Sequence, residues 1–369
     1  GDSDIYLARV GWFPESDALL VQRQSRDQQR LDLLRLPADG ATPALLLTET
    51  SDTWVELHDE LRFLPARRQL IWASQRSGHR HLYLHDYDGR LLRPLTAGAW
   101  DVDADGASAL RAVDERGGRL WFMATEKSPL ERHLYVAALD GGDPSRPRRL
   151  TAEDGWHDAI VAPDLRRFAL TSSDPARPAR VALHASDGGR LAWVAENALD
   201  ASHPYAPYAA SHVLPEFGTL PAADGTPLHY QLLRPAGFDP ARRYPAILLV
   251  YGGPGPPIGQ RPFRDRRGSL AAQLLTQRGY AVFTLDNRGS AGRGHGFERP
   301  LHRGLGGVEG EDQLRGVAHL RSLPWIDPAR VGVYGWSYGG YLSLLLMMRG
   351  PEAVAAGVAG APVPDWRLP

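Results

Sequence analysis

The alternation of apolar and polar positions divides the chain into two halves with different patterns. Up to about residue 212, short aromatic and β-branched runs are separated by Gly, Asp, Pro and Arg, which is typical of strands joined by turns. The segment His81–Leu84 reads His-Leu-Tyr-Leu and is followed by an Asp-Gly turn and by Leu-Thr-Ala at 95–97. A similar His-Leu-Tyr segment at 133–135 is followed by Gly-Gly and by Leu-Thr-Ala at 150–152. This repeat predicts antiparallel hairpins of similar construction.

Tryptophans recur at positions 12, 54, 100 and 156, at intervals of roughly 40 to 55 residues. Such a period fits the four-stranded blades of a β-propeller, and about four blades fit into this stretch. A β-sandwich with coincidental spacing is the alternative. Propellers usually have four to eight blades, and the chain opens directly into a strand-like segment at 5–10, so we expect further blades upstream of Gly1.

From about Glu216 the pattern changes to longer apolar runs that alternate with helix-like stretches. Such alternation indicates a parallel sheet with crossover helices, and continuous apolar runs are typical of strands buried on both faces. The predicted strands lie at 244–250, 280–285, 330–335 and 355–360, and the predicted helices at about 268–278, 309–322 and 338–348. A connection rich in Pro and Tyr, at 204–215, joins the two halves.

The amino-acid composition excludes several classes of function. The 42 Lys and Arg balance the 43 Asp and Glu, so the sequence has no basic footprint for nucleic acid. Cysteine is absent, which excludes disulfides, thiolate catalysis and Cys-based zinc sites. No apolar run approaches the roughly 18 residues of a membrane span. We expect no cofactor and no metal.

A Gly-Trp-Ser-Tyr-Gly segment at 335–339 matches the pattern G-x-S-x-G. An apolar strand precedes it and a predicted helix follows it, which is the context of a nucleophile elbow. Glycine is needed on both sides of the serine because a Cβ would clash with neighbouring backbone. This context predicts that Ser337 is a nucleophile whose hydroxyl stands clear of the sheet.

The loop Tyr251-Gly252-Gly253-Pro254 follows an earlier predicted strand. In α/β-hydrolases a loop in this place supplies an oxyanion donor. The Tyr251 hydroxyl could fill that role together with the backbone N–H of Tyr338. The alternative is that Tyr251 is an ordinary core aromatic residue.

These motifs together resemble the dipeptidyl peptidase IV subfamily of the prolyl oligopeptidase clan. The resemblance rests on Val250–Pro254, on Asp-Asn-Arg-Gly-Ser at 286–290, on Glu-x-Glu-Asp-Gln at 309–313, on 335–341 and on Ala-Pro-Val followed by Trp366. In the first half, the segments 50–59 and 129–135 also resemble the propeller of this subfamily.

The resemblance implies a fold and an activity. The fold would be the C-terminal blades of a β-propeller over 1–212, followed by an incomplete α/β-hydrolase domain over 213–369. The activity would be removal of N-terminal dipeptides after proline or alanine, from peptides with a free N-terminus. Related enzymes are often homodimers.

The resemblance also assigns residues. Ser337 matches the nucleophile, Tyr251 the oxyanion tyrosine, and Tyr338 the residue that completes the oxyanion hole and borders the proline pocket. Val363 and Trp366 match walls of that pocket, and we add Trp336, next to the nucleophile, as a substrate-binding residue.

A serine nucleophile needs a histidine base oriented by a carboxylate, which normally follow it in an α/β-hydrolase. No histidine follows Ser337, and the only later carboxylates are Glu352 and Asp365. His295, His302 and His319 precede the serine and would break the usual order. We therefore expect the Asp and His of the triad, and the glutamates that bind the substrate's amine, to lie outside this chain.

Four other patterns received structural interpretations. An ion-paired scaffold around the active-site loops is expected from Asp286, Arg288, Glu309, Glu311 and Asp312. Asp101, Asp103, Asp105 and Gly106 faintly resemble a calcium loop, but a solvated turn is favoured. Histidines 79, 81 and 85 are interpreted as surface residues. The glycines at 292, 294 and 296 do not form a dinucleotide fingerprint and predict a flexible loop.

Three functional hypotheses remain open at this level. The first is a serine exopeptidase that acts through an acyl-enzyme. The second keeps the fold but makes it an oligopeptidase, an acylaminoacyl peptidase or an esterase. The third is a non-catalytic scaffold. The sequence does not fix the compartment; a bacterial periplasmic or secreted setting suits a cysteine-free peptidase, although cytoplasmic relatives exist.

Overall fold

The first half of the chain folds into four-stranded antiparallel sheets. The computed structural model describes residues 4–102, 108–254 and 269–367. Within these ranges four such sheets occur, each built from four strands that are consecutive in the sequence. They consist of β1–β4 (Ile5–Trp12, Ala18–Ser25, Arg30–Pro37 and Ala44–Thr50), β5–β8 (Leu61–Leu64, Gln69–Ser74, His81–Asp86 and Leu91–Pro94), β9–β12 (Leu110–Asp114, Arg119–Ala124, His133–Ala138 and Arg148–Arg149) and β13–β16 (Trp156–Val161, Arg167–Asp174, Arg177–Ala185 and Arg190–Ala195). The sequence predicted about four four-stranded units, as observed.

The His-Leu-Tyr repeat has a common structural basis. His81 begins β7, and its Nδ1 lies 3.0 Å from Oγ1 of Thr96. His133 begins β11, and its Nδ1 lies 2.7 Å from Oγ1 of Thr151. Each threonine belongs to a Leu-Thr-Ala segment. The repeat therefore encodes one buried side-chain hydrogen bond in each of the two sheets that contain it. Because both partners are inaccessible to water, the bond satisfies polar groups that would otherwise be costly to bury.

The interpretation of histidines 79, 81 and 85 as surface residues is wrong. His81 and His85 are completely or almost completely buried, because β7 is an inner strand whose two faces are both covered. His79 is half-buried, and its Nδ1 lies 3.3 Å from a carboxylate oxygen of Asp101. Spacing alone did not distinguish a covered inner strand from an exposed one.

The connection between the halves carries the short helix α1 (Ala206–Ala209). It is held to the second half by Gln273, whose side-chain amide accepts from the N–H of Val213 (2.8 Å) and donates to its carbonyl (2.8 Å). This pair of bonds anchors the end of the connection just before the next strand begins.

The second half is a six-stranded mixed sheet with helices on it. The spatial order of its strands is β17-β18-β20-β19-β21-β22. The last four strands in this order, β20, β19, β21 and β22, are parallel to one another. Strand β18 pairs antiparallel with both β17 and β20. The strands are β17–β22 (Glu216–Pro221, Pro227–Leu233, Tyr244–Val250, Ala281–Leu285, Ile326–Trp336 and Ala356–Gly360), and the helices are α2 (Ser269–Gln277), α3 (His295–Glu298), α4 (Val308–Ser322) and α5 (Tyr338–Arg349). The predicted alternation of strands and helices is present. The antiparallel strands at the sheet edge were not predicted.

The two faces of this sheet are covered unequally. Helices α4 and α5 pack on one face, where Leu248, Val331 and Leu342 belong to the principal core. On the other face, helix α2 packs against Leu233 and Val282, and a cavity of about 1310 Å³ runs along the remaining strands. Alternate residues of β19 are therefore only half-buried. The prediction that strand 244–250 is buried on both faces does not hold in the described part of the chain.

Candidate active site

Ser337 lies in a strained turn between β21 and α5. Its φ of 57° and ψ of −117° place a residue with a Cβ in a region that such residues rarely adopt. The turn is held by hydrogen bonds at both ends, from the N–H of Ser337 to the carbonyl of Gly360 (2.9 Å) and from the N–H of Tyr341 to the carbonyl of Ser337 (3.1 Å). The Ser337 side chain is exposed. The turn thus presents its hydroxyl at the N-terminus of a helix, where developing negative charge is favoured.

The flanking glycines are required by backbone approach. A Cβ on Gly335 would lie 2.2 Å from the carbonyl oxygen of Gly339, and a Cβ on Gly339 would lie 2.1 Å from the carbonyl oxygen of Val250. Both obstacles are main-chain atoms, so neither can rotate away. The local argument for glycine at both positions is confirmed. This is the geometry of a nucleophile elbow, the feature shared by serine hydrolases built on a mostly parallel sheet.

The loop of Tyr251 lies beside this elbow. Val250 at the end of β19 pairs with Gly335 in the parallel neighbour β21, so both chains leave the sheet at the same edge. Tyr251 is 44% exposed, and its ring centroid is 6.1 Å from that of Tyr338. Gly253 lies close to the ring of Tyr338: a Cβ at this position would lie 2.5 Å from Cγ of the ring. The structure therefore brings the two predicted oxyanion residues to one edge of the sheet.

Tyr338 is buried, and its hydroxyl is engaged within the protein. It donates a 2.7 Å hydrogen bond to Oε1 of Glu309 in the first turn of α4. Burial and this carboxyl group both raise the pKa of Tyr338, so the phenol stays protonated at ordinary pH. Its hydroxyl is consequently committed to Glu309, and the predicted oxyanion donor of Tyr338 is its backbone N–H rather than its phenol.

The three predicted substrate-binding residues occupy different surroundings. The Trp366 ring is 45% exposed and packs 5.2 Å from the Tyr338 ring and 5.4 Å from the Tyr341 ring. Val363 is half-buried in the segment just before it. Trp336 is 63% exposed, and its ring lies over Gly360 of β22, where a Cβ would come within 2.2 Å of the indole. Trp366 thus lies with Tyr338, whereas Trp336 faces the sheet.

Helix α4 holds the loop that carries Arg288 through Asp312, one of the charged residues expected to form an ion-paired scaffold. Asp312 accepts two hydrogen bonds from the guanidinium of Arg288 (2.7 and 3.0 Å), and Asp224 accepts a third (2.9 Å). This part of the expected ion-paired scaffold is present. Glu309 departs from the expectation, because its side-chain partner among the described residues is Tyr338.

A neutral amide chain continues this scaffold to the tyrosine loop. Gln313 of α4 donates to Oδ1 of Asn287 (2.7 Å), and Asn287 donates to the carbonyl of Gly252 (2.8 Å). The position of the loop after β19 is therefore tied to α4 through two buried amides. Sequence reasoning assigned no role to either amide, although helical spacing places Glu309, Asp312 and Gln313 on one face of α4.

The histidines considered as bases lie elsewhere. Nε2 of His295 lies 2.8 Å from Oγ1 of Thr53, the His302 ring is 6.0 Å from the Trp54 ring, and the His319 ring packs 5.1 Å from the Tyr230 ring. In the part of the chain that the structure describes, no histidine is hydrogen-bonded to Ser337. Of the later carboxylates, Asp365 pairs with Arg367 (2.7 Å).

The segment that contains His295 joins the two halves of the molecule. Gly294 donates its N–H to Asp101 (2.7 Å), and His295 donates its N–H to the carbonyl of Gly78 (2.8 Å). Both acceptors belong to loops of the first half. The expectation of a flexible loop around these glycines was therefore wrong where the loop docks, because two backbone bonds hold it.

This junction predicts a pH-dependent stability. Burial and the nearby carboxylates of Asp101 and Glu56 raise the pKa of Glu298 to about 7, against the opposing effects of Arg80 and Gln75. A carboxyl whose pKa is higher in the folded state than in the unfolded state stabilises the fold at low pH, and that contribution is lost as pH rises through about 7. We expect the urea midpoint of the natural protein to fall between pH 5 and pH 8, and to fall less in Glu298→Gln. An equal fall in both proteins would contradict this assignment.

The metal sites, the calcium-like pattern and membrane-spanning helices can be assessed only within the described ranges. Within them, no cluster of three or more His, Cys, Asp or Glu side chains could hold a metal ion. Asp103, Asp105 and Gly106 of the calcium-like pattern lie outside the described residues. Among the described helices, none is long and apolar enough to cross a membrane.

Comparison with known proteins narrows the class of serine hydrolase that the nucleophile elbow indicates. Residues 1–179 match the family described as the dipeptidyl peptidase IV N-terminal region, and residues 267–368 match the prolyl oligopeptidase family. Human dipeptidyl peptidase 8 is 30% identical over 98% of this chain and 45% of its own length, and a probable dipeptidyl-aminopeptidase B of Tuber melanosporum is 30% identical over the whole chain and 41% of its own length.

Solved structures agree with these matches. Dipeptidyl peptidase 4 of Porphyromonas gingivalis superposes with a TM-score of 0.89 at 29% identity, over the whole chain and 50% of its own. A putative dipeptidyl aminopeptidase IV of Bacteroides ovatus gives 0.84 at 31% identity, over 98% and 52%. The chain belongs to the dipeptidyl peptidase IV subfamily of the prolyl oligopeptidase family. It spans about half the length of the relatives that it matches.

Proposed function

We propose that this chain carries the nucleophile and the oxyanion-binding groups of a serine exopeptidase that releases N-terminal dipeptides. The observation that carries the proposal is the strained Ser337 turn beside the Tyr251 loop, at adjacent carboxyl ends of β21 and β19. The names of the related proteins support the dipeptidyl unit. The preferred residue before the scissile bond would be proline or alanine.

In the proposed reaction, Oγ of Ser337 attacks the carbonyl carbon of the scissile peptide bond while a base removes the hydroxyl proton. The Tyr251 hydroxyl and the Tyr338 N–H stabilise the resulting oxyanion. Collapse of the intermediate breaks the C–N bond, the base returns the proton to the leaving amine, and an acyl-enzyme remains. Water then hydrolyses the ester. The base and its carboxylate are not assigned to any described residue, since none of the described histidines is hydrogen-bonded to Ser337.

The surroundings of Ser337 suggest how such a substrate is held. Trp366 presents almost half of its ring to solvent next to Tyr338, which gives an apolar aromatic surface suited to a proline ring. We assign Val363 to the same pocket. Trp336, whose exposed ring lies over Gly360, would contact the substrate from the side of β22.

The fold supports different roles for the two halves, with the first half covering the site and the second half carrying it. We interpret the four antiparallel sheets as propeller blades within residues 1–212 and the mixed sheet as an α/β-hydrolase domain within 213–369. The bonds from Gly294 and His295 to the first half would hold the blades over the carboxyl edge of the sheet, where the elbow lies. Such a cover would restrict access to slender peptides.

A comparison of a free and a blocked N-terminus tests the function. In the natural full-length protein, Gly-Pro p-nitroanilide with a free amine should be hydrolysed at least about 100-fold more efficiently than its N-acetyl twin, because an unpaired binding site for the ammonium group costs several kcal/mol. Gly-Leu p-nitroanilide serves as the matched control for the proline pocket and should be a poorer substrate than Gly-Pro.

The other outcomes select other functions. Equal cleavage of the free and blocked substrates would contradict an exopeptidase and favour an oligopeptidase. Preference for the acetylated substrate would favour an acylaminoacyl peptidase. Cleavage of p-nitrophenyl esters alone would favour an esterase, and absence of both turnover and fluorophosphonate labelling would favour a scaffold.

A further inference from the structure

Glu309 is a fully buried carboxyl group that the proposed reaction does not use. It lies in the first turn of α4 and is 0% exposed. Its Oε1 accepts hydrogen bonds from the Tyr338 hydroxyl and from the N–H of Gly306, while its Oε2 has no hydrogen-bond partner among the described residues. A buried carboxyl with one oxygen unpaired is costly, so its presence here calls for an explanation.

A carboxylate on the same face of the same helix shows what a purely structural arrangement looks like. Asp312, one turn further on, is equally inaccessible, and the guanidinium of Arg288 and its backbone N–H satisfy both carboxylate oxygens. Glu309 has no such cation in the described part of the chain. The partial positive charge of the helix N-terminus favours a carboxylate there, but it does not explain the contact with Tyr338.

The hydrogen-bond partner of Glu309, Tyr338, contacts both the nucleophile elbow and the Tyr251 loop. The backbone of Tyr338 begins α5 directly after Ser337, and its ring supports Gly253 on the Tyr251 loop. A tyrosine ring has two rotatable bonds, and its hydroxyl is the atom farthest from the backbone. A hydrogen bond at that atom therefore fixes both the direction of the ring and the loop that rests on it.

We infer that Glu309 is a positioning residue of the active site: by accepting the Tyr338 hydroxyl proton in a hydrogen bond, it holds the ring on which Gly253 rests and so sets the oxyanion hole formed by the Tyr251 hydroxyl and the Tyr338 N–H. This inference rests on the proposed function, since the oxyanion hole is part of that proposal. Glu309 touches no substrate and acts only through Tyr338.

An oxyanion hole contacts the oxygen only as negative charge develops on it, so its distortion lowers kcat more than it changes KM. In the natural full-length protein, Glu309→Ala and Tyr338→Phe should each lower kcat for Gly-Pro p-nitroanilide by about 10- to 100-fold, with KM within about threefold. The double variant should be no slower than the slower single variant by more than about threefold, because both changes break one interaction. Glu309→Gln keeps an acceptor oxygen and should recover most of the loss.

Glu311→Ala is the matched control, because this glutamate lies on the same helix but is exposed. It should behave as the unmodified protein. A loss confined to KM, a multiplicative loss in the double variant, or full activity of Tyr338→Phe would overturn the inference. If Glu309→Ala does not fold, Tyr338→Phe, which removes a single hydroxyl, still decides the matter.

The rate of fluorophosphonate labelling of Ser337 separates this inference from the proposed function. Labelling uses the same serine and oxyanion hole but requires no peptide. Labelling without peptide cleavage would contradict the dipeptidyl activity alone, and slower labelling in Glu309→Ala would then still support the inference. Cleavage and labelling that are both unaffected by Glu309→Ala would overturn the inference alone. Absence of both reactions in the unmodified protein would overturn both.

Discussion

Replacement of Ser337 by alanine is expected to lower kcat for Gly-Pro p-nitroanilide by about 10⁵- to 10⁶-fold in the natural full-length protein. The expectation follows from the strained turn, which has a φ of 57° and presents an exposed serine side chain directly before helix α5. Alanine keeps the Cβ and removes only Oγ, so the turn and the fold should persist. The loss would therefore report the covalent step alone.

Two controls give this measurement its meaning. Ser322→Ala removes a serine hydroxyl at the exposed end of α4 and should leave kcat within about twofold, because surface substitutions of this kind change little. Thermal unfolding of Ser337→Ala should match that of the unmodified protein, since alanine keeps the Cβ and leaves the backbone strain of the turn unchanged. Retention of more than about 1% of kcat in Ser337→Ala would assign the chemistry to another residue.

The nucleophile turn could be predicted from the sequence because its determinants are local. Two glycines, one serine, a preceding apolar strand and a following helix lie within about 20 residues, and each constrains the same turn. The structure places β21 and α5 within a few residues of the predicted bounds. The tyrosine loop was equally predictable, because it follows the apolar strand β19 directly.

The role of Glu309 was not predictable in the same way. Grouping it with Asp312 and Arg288 as one ion-paired scaffold assumed that charged residues find charged partners. Asp312 does so, but Glu309 meets a tyrosine from a helix that begins 29 positions later. Helical spacing could have placed both carboxylates on one face of α4, yet only the packing of α4 against α5 decides which side chain each of them meets.

The burial of β7 illustrates a second limit. A short strand bounded by polar residues is consistent with either an exposed or a covered position, so His81 and His85 gave no clear signal by themselves. The repeated Leu-Thr-Ala segments did carry information, because Thr96 and Thr151 are the partners of the two repeated histidines. A repeat that pairs the same two polar residues predicts a buried hydrogen bond better than the spacing of one strand does.

Gly339→Ala is expected to cost about 3 kcal/mol or more in the free energy of unfolding and to abolish labelling of Ser337. The added Cβ would lie 2.1 Å from the carbonyl oxygen of Val250 and 3.1 Å from Cα of Tyr251. Relief would require α5 to move away from β19, which would separate the Ser337 turn from the tyrosine loop. Stability and reactivity should therefore be lost together, as shown by the urea midpoint and the labelling rate.

Gly296→Ala is the matched control for this last prediction. Nothing lies within 4 Å of a Cβ at Gly296, and its φ is not in the left-handed region. Since alanine also favours helix over glycine, this variant should keep its urea midpoint and its labelling rate or gain slightly in stability. If Gly339→Ala behaved like Gly296→Ala, the close approach of α5 to β19 would not be what holds the elbow. Loss in Gly339→Ala alone would show that one backbone contact fixes both the nucleophile and the loop that faces it.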